Sequence, residues 1–495
     1  MQRSLCKMRN HSQHCMHIPN TKNLTMPTSV TVRMYNQLNL GDCFLLKFID
    51  GDTTVFLLVD FGSYERGNEM REREIAQNII ETVGDNPITI VLTHQHKDHL
   101  SGFISAFDIL HDHFKDKKVS LWLSYLDDPI GEEAVAMRAA TEKFWNKNKQ
   151  AKEAARKRFA NAREVSRMLD AKDAFDLFAE DQQGGEAITN LLKLAKHREQ
   201  FLLPGKWFQL PEMPKNTVKV YVLGPPTDKS LLTKLNPGKD EAVENLNTMT
   251  QLVNLDSAAG LMLDTVQAMG IQATSHSASA DEDFPFSKKF ICRSVNTDLK
   301  SSYLDKSKGW RRIDYDWLTE MGRLSLHMDT LTNNSSLVLA FELVESGKVL
   351  LFVGDAQIGN WKSWFDVKFK KTDVTARELL SRTVLYKAGH HSSHNATLLE
   401  SLNLMNEDEL VIMIPVNERV STNRGFAMLK PGMLRGYNRK SDGRVVRSDT
   451  IYHKPTSANG FKFPFAKTEK DFTPAISIGK SGNSSDHLFI EYTVQ

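Results

Sequence analysis

The chain has little cysteine. Its 495 residues include four, Cys6, Cys15, Cys43 and Cys292, and none of them forms a CxxC pair. This spacing indicates neither a disulfide framework nor a cysteine-based zinc module, and it suits a reducing compartment such as the cytoplasm. No apolar run is long enough to cross a membrane. The N-terminus lacks the apolar stretch of a secretory signal. The sequence therefore predicts a soluble, cytoplasmic protein without a membrane partner. One-sided charge is also missing: 63 Lys and Arg balance 61 Asp and Glu, for a formal net charge of +2. Bulk charge thus selects no partner, and any basic surface has to be local. Internal repeats and long low-complexity tracts are absent. With 40% hydrophobic residues, the chain can bury the core of one large elaborated domain or of two domains.

Residues 1–28 carry Cys6, His11, His14, Cys15 and His17 among polar residues. Their spacing fits no zinc pattern, and a disordered leader is expected there. Regular patterning starts at Ser29. Val30–Met34, Cys43–Ile49 and Thr54–Asp60 read as strands, with a turn at Asn39–Asp42 and a hairpin signal at Asp50-Gly51. Glu69 to Val83 reads as an amphipathic helix and Ile88–Leu92 as a short buried strand. Gly102 to Phe114 is expected to be helical, and Val119–Leu123, Val218–Leu223, Ser336–Phe341, Lys348–Val353, Thr383–Lys387 and Glu409–Val416 are further strands. This alternation implies an α/β fold with helices packed on mixed sheet.

The most informative stretch is Thr93-His94-Gln95-His96-Lys97-Asp98-His99. Three histidines and an aspartate within six positions, on a tight loop after a strand, offer imidazole and carboxylate donors suited to zinc or a similar first-row divalent ion. Three other strands end on metal-competent residues: Asp60 before Gly62, Asp355 after Gly354, and the pair His390-His391. Singly, each has an ordinary reading, as a strand terminator, a turn residue or a structural histidine pair. Together, on strand ends that share one rim of a layered α/β fold, they make a metal centre.

The series of motifs carries a family resemblance. His94-x-His96-x-Asp98-His99 resembles the HxHxDH signature of the metallo-β-lactamase fold. Gly41-Asp42, Asp60-Phe61-Gly62, Leu223–Pro226, Asn334–Leu339, Gly354-Asp355 and His390–Ser393 follow in an order similar to the branch that contains the β-lactamase-like domain of the DNA-uptake protein ComEC and the phosphorylcholine esterases. The signatures span about residues 30–420. The chain departs from the branch in three ways. Serine stands at Ser392 where glycine is expected, a change that should perturb the loop slightly. ComEC's membrane-spanning regions are missing, so DNA transport is not implied. The segments between Leu100 and Asn333 are enlarged.

The resemblance implies a metallo-β-lactamase αββα sandwich over residues 29–420. It would carry a helical insertion at about 130–200, an irregular insertion at about 227–325 and a C-terminal extension at 421–495. It implies two divalent metal ions, zinc in the first instance, with manganese or iron as alternatives. His94 and His96 would hold one ion, Asp98, His99 and His391 the second, and Asp355 would bridge them; the family pattern places the second histidine of the His390-His391 pair on the metal. A third histidine for the first ion has no clear counterpart, and His327, Asn334 or water would fill that position. Asp60 would orient a ligand imidazole from behind. Such a centre activates water near neutral pH, so no side-chain nucleophile is required. Asp98 and His390 would be the catalytic side chains, with His390 or His394 protonating the leaving group or touching a phosphate oxygen. Lys387 is a candidate phosphate contact.

The implied activity is a phosphodiesterase or nuclease acting on a phosphodiester substrate, with nucleic acid as a candidate. The segment from Glu132 to about Lys196 reads as charged and helical. Lys143, Lys147, Lys149, Lys152, Arg156, Lys157, Arg158, Arg163 and Arg167 interleave there with Phe144, Trp145 and Phe159. It is either a solvated helical hairpin or an arm that grips a polyanion. A second basic stretch runs from Arg424 to Arg447. Two other readings compete. Hydrolysis of a carbon ester, thioester or lactam is common on this fold, but usually goes with a third histidine before the bridging aspartate. A non-catalytic scaffold is opposed by the intact ligand set.

Overall fold

The computed structural model describes residues 27–64, 67–139, 182–232, 234, 330–423, 428–450, 476–480 and 486–495. Strands β1 (Ser29–Tyr35), β2 (Cys43–Asp50) and β3 (Thr53–Phe61) form an antiparallel meander. The parallel strands β4 (Ile88–Val91), β5 (Val119–Ser124) and β6 (Glu199–Leu202) continue the same sheet. The second sheet has the same mixed character. In it β7 (Trp207–Gln209), β8 (Val218–Gly224), β9 (Val338–Leu343) and β10 (Val349–Phe352) are antiparallel neighbours. From β10 the sheet runs parallel through β11 (Thr383–Lys387), β12 (Val411–Ile414) and β13 (Val445–Arg447). Strands β14 (Ile476–Lys480) and β15 (His487–Val494) complete the first sheet, with β15 pairing antiparallel to β1. The orders are therefore β14-β15-β1-β2-β3-β4-β5-β6 and β13-β12-β11-β10-β9-β8-β7.

The two sheets face each other. One apolar cluster joins Val32, Phe44, Phe48 and Leu57 of the first to Val220, Phe341, Phe352 and Met413 of the second. Phe44 meets Phe352 edge to face at 5.7 Å, a favoured aromatic geometry. Each outer face is covered by helices. Helix α1 (Glu69–Val83) turns Ile75, Ala76, Ile79 and Val83 onto the first sheet. It stops at Gly84, whose positive φ of 57° and N–H bond to the Ile80 carbonyl at 2.9 Å form a glycine stop. The same face carries α2 (Lys97–Leu100), α3 (Gly102–Ser105), α4 (Phe107–Phe114) and α5 (Gln182–Ala195). The other outer face is covered by α6 (Ile358–Ser363), α7 (Ala376–Ser381), α8 (Leu399–Leu404) and α9 (Pro431–Lys440). The result is a mixed α/β sandwich, helices outside and two sheets within. Among the described residues no helix is long and apolar enough to cross a membrane.

The structure modifies several sequence expectations. The single helix expected over Gly102–Phe114 breaks at Ala106, which has φ −119° and ψ 19°. Strands β6, β7, β13, β14 and β15 were not anticipated. Within the expected C-terminal extension at 421–495, the described strands belong to the two sheets: β13 extends one, and β14 and β15 extend the other. Of the charged segment from Glu132 to Lys196, helix is seen at residues 132–139 and in α5. The basic residues between Lys143 and Arg167, residues 1–26 of the leader expected at 1–28, His327 and nearly all of 227–325 lie outside the described residues.

Candidate metal centre

The site forms where the parallel pairs of the two sheets end. Strand register places its members. In the first sheet Val59 lies opposite Val91, so Asp60 reaches the loop that follows β4. In the second sheet Phe352 lies opposite Lys387. Three residues further along each chain, Asp355 and His390 meet, and the His390 N–H donates to Asp355 Oδ1 at 2.8 Å. The rims are tied together by the Leu337 N–H, which donates to the Thr93 carbonyl at 2.8 Å. Two glycines permit this closeness. A Cβ on Gly62 would lie 2.5 Å from the Leu100 nitrogen and 2.6 Å from the Lys97 carbonyl oxygen, inside the helix that carries Asp98 and His99. Gly354 has φ 54°, and a Cβ there would meet the Thr93 side chain at 2.7 Å.

His94, His96, Asp98, His99, Asp355 and His391 are all buried. One donor atom from each of Asp98, His99, Asp355 and His391 falls within a set whose members all lie within 4.8 Å of one another. His99 Nε2 is 3.3 Å from Asp355 Oδ2, and His391 Nε2 is 2.9 Å from Asp98 Oδ2. His94 and His96 sit beside this set: His94 Nε2 and His96 Nδ1 are 3.1 Å apart, and the His94 and His99 rings are 4.2 Å apart. Among the described residues the two do not form a compact three-ligand group with a further donor.

Hydrogen bonds from outside the cluster set three ring orientations. The Thr93 hydroxyl donates to Asp60 Oδ2 at 2.8 Å, so toward His94 Nδ1, at 3.1 Å, it acts as acceptor. His99 Nδ1 lies 2.8 Å from Asp60 Oδ2, and His391 Nδ1 lies 2.6 Å from the Pro415 carbonyl. Each Nδ1 therefore carries a proton toward an acceptor, and each Nε2 turns inward, the ring orientation of a metal-ligating histidine; the inward nitrogen of His391 meets Asp98 Oδ2. Asp98 Oδ1 and His99 Nε2 are buried without a hydrogen-bond partner, which ordinary packing avoids. The donor set thus fits a divalent metal ion.

The electrostatics agree. Burial, aided by the neighbouring His99 and His96, holds the His94 imidazole well below its usual pKa. Burial pushes His96 down to about 4. Both rings are therefore neutral near pH 7, the form that ligates. Burial opposes charge on His99 as well, but Asp355, Asp42, Asp98 and Asp60 outweigh it and raise its pKa well above normal. Asp355 is driven the other way: against burial, His99 and Lys387 hold its carboxyl well below the ordinary range. Carboxylate charge, from Asp98 and Asp355, is concentrated on the side of the centre where His99 and His391 lie.

His390 is half-buried beside the cluster. Ser393 Oγ donates to Asn395 Oδ1 at 2.8 Å and so accepts from His390 Nδ1 at 2.8 Å. The Gln357 amide lies 3.3 Å from the same nitrogen, and its Oε1 is buried without a partner. Turned over, that amide supplies a second acceptor. Either way His390 Nε2 is left to exchange a proton. His394 is half-buried beside it and acts on its charge.

Two sequence expectations do not hold. Lys387 is neither solvated nor open to a phosphate. It is 2% exposed, and its ammonium bonds the Gly354 carbonyl at 2.7 Å and pairs with Asp42 and Asp355. Asn334 is not free to ligate: its Oδ1 accepts from the Gln357 and Asn360 N–H groups, and its Nδ2 donates to the Leu232 and Lys234 carbonyls. Sequence reasoning also missed working parts. Asp42 reads in the sequence as a turn residue and a member of the motif series, with no role at the metal, yet its carboxylate is buried behind the rings, 3.7 Å from His99 Nδ1 and 3.8 Å from His391 Nδ1. Gln95 ties the loop to Asp127 at 2.6 Å. A signal for Asp42 was available: a charged residue directly after glycine and directly before an apolar strand.

Comparison of the chain with protein-family models and with curated proteins finds no match.

Proposed function

We propose that the chain is a metal-dependent hydrolase of the metallo-β-lactamase type, acting on phosphodiesters and including nucleic acid among its candidate substrates. The observation that carries this reading is the convergence on one rim of Asp98, His99, Asp355 and His391, all buried and with donor atoms within 4.8 Å of one another. The His94–His96 pair lies alongside and Asp60 lies behind. The helix–sheet–sheet–helix layering and the placement of this rim at strand ends support the αββα sandwich that the motif series implies. Asp98, His99 and His391 would hold one ion, His94 and His96 a second, with Asp355 between them; zinc is the first choice, and manganese and iron suit the same donors. When bound, such a metal pair supplies an activated water and offsets the negative charge that develops on the phosphoryl oxygens.

The chain's own residues do the rest. Asp60 holds His99 in its ligating orientation and fixes Thr93, which in turn orients His94. His390 stands half-buried beside the cluster with Nδ1 bound, and in its protonated form Nε2 would hand a proton to a departing alkoxide. Burial lowers the pKa of His390. The preference for phosphodiesters over carbon esters rests on the motif series and on the basic stretches. The basic residues Arg156, Lys157 and Arg158 lie outside the described residues.

The test compares a chromogenic phosphodiester with a chromogenic carboxylic ester, using protein whose metal content has been measured and then restored with zinc, manganese or iron. Metal-dependent turnover of the phosphodiester is the expected result. Ester turnover alone would shift the chemistry to carbon, and a chain that binds no metal under any of these conditions would leave a scaffold.

A further inference from the structure

Lys387 lies in β11, three residues before His390, and is almost fully enclosed. Its ammonium occupies a cradle made of oxygen atoms: the Gly354 carbonyl at 2.7 Å, Asp355 Oδ1 at 3.4 Å and Asp42 Oδ2 in direct contact. A buried ammonium is tolerated only where carboxylates and carbonyls replace its water. The two oxygens of Asp355 have different neighbours. Oδ1 receives the His390 N–H at 2.8 Å and faces Lys387, whereas Oδ2 lies 3.3 Å from His99 Nε2, inside the ligand set. Asp42 sits behind the His99 and His391 rings, and its charge is met there by the same lysine.

We propose that Lys387 is a positioning residue of the metal centre: a built-in counter-cation that takes up Oδ1 of Asp355 and the charge of Asp42, so that Asp355 offers Oδ2 alone to a divalent ion. This rests on the metal reading above and goes beyond it. It makes the ligand geometry of the centre, and not only the stability of the fold, depend on a residue that touches no substrate. A lysine that merely filled a hole would leave the bound metal unchanged wherever the chain still folds.

Cobalt(II) is a suitable probe for the full chain, because its visible absorption reports coordination geometry. Asp42→Asn removes one partner but leaves Lys387 on Asp355, and its cobalt spectrum and affinity are the background against which loss of the lysine is read. The double variant Asp42→Asn/Lys387→Met removes both charges of the corner together and leaves neither buried charge stranded. It should fold by circular dichroism, show an altered cobalt spectrum and bind cobalt roughly ten-fold more weakly in competition with a chromophoric chelator, the scale seen when a ligand loses its supporting contact. Lys387→Arg keeps the charge on a rigid fork that cannot enter the same cradle, and provides the reading if the double variant does not fold. A changed spectrum is expected there too. A folded double variant, or failing that Lys387→Arg, with the wild-type spectrum and affinity would overturn the proposal. Wild-type chain that binds no cobalt would remove the metal reading and this inference together. Wild-type binding with indifferent variants would remove this inference alone.

Discussion

The two halves of the candidate centre are built differently. His94 and His96 are two residues apart in sequence, on one loop, and both are neutral because burial outweighs everything else around them. Asp98, His99, Asp355 and His391 come from three strand ends in two sheets, and against burial they shift one another: the carboxylates raise the pKa of His99 and His391, and His99 helps to lower that of Asp355. The first half needs only a correctly turned loop. The second needs the whole sandwich, a buried lysine and a set of outside acceptors before its atoms can meet. A centre of this kind should therefore fail in two distinguishable ways, locally in one half and globally in the other.

The largest effect is expected at the assembled half. Asp355→Ala removes the residue between the two halves, and hydrolysis should fall by roughly 10³-fold or more, in line with the loss of metal-assisted charge stabilisation. Metal content measured alongside activity should drop, while circular dichroism stays native. A variant that keeps its turnover would sink the two-metal assignment.

A smaller effect is expected at the local half. His96→Ala should release about one equivalent of metal and lower turnover by about 100-fold, leaving the other ion in place. Loss of both ions together would show that the halves are not independent and would break the comparison.

The smallest effect belongs to the support behind them. Asp60 has φ 56°, a conformation that asparagine also tolerates, so Asp60→Asn preserves the backbone while weakening the acceptor for His99 and Thr93. Metal affinity should drop by about ten-fold, within the range found for outer contacts of ligating histidines. Titration with a competing chelator would measure it, and an unchanged affinity would mean that Asp60 is only a strand terminator.

Sequence carried unequal information about these parts. Where the pattern was local, it was readable. The alternation of Val30–Met34 and the spacing of Ile75, Ile79 and Val83 announce one strand and one helix because each buries a single face. The His94–His99 cluster was legible for the same reason: its members are neighbours in the chain. Strands β13 to β15 were not legible, since three residues in β13 carry no periodicity, and β15 is defined by its pairing with residues about 460 positions earlier. Lys387 was misjudged because one sequence cannot say whether a strand-end lysine meets water or two carboxylates. The role of Ser392 was only half visible. Glycine was expected there, and the serine adopts φ 63° beside His390 at 42° and His391 at 46°. The left-handed turn survives at the expense of backbone strain, of order 1 kcal/mol per residue.

The pairing of β1 with β15 also bears on how the chain is made. Arg33 and Glu491 bond across the two strands, 458 positions apart. At typical synthesis rates of about 5–20 residues per second, roughly 20 to 90 s separate their emergence from the ribosome. During that interval β1 has β2 on one side and an open row of backbone donors and acceptors on the other. A nascent chain of this protein thus presents a sticky strand edge long before the segment that covers it exists, and the first sheet is completed only after the metal-loop strands and the whole second sheet have been synthesised.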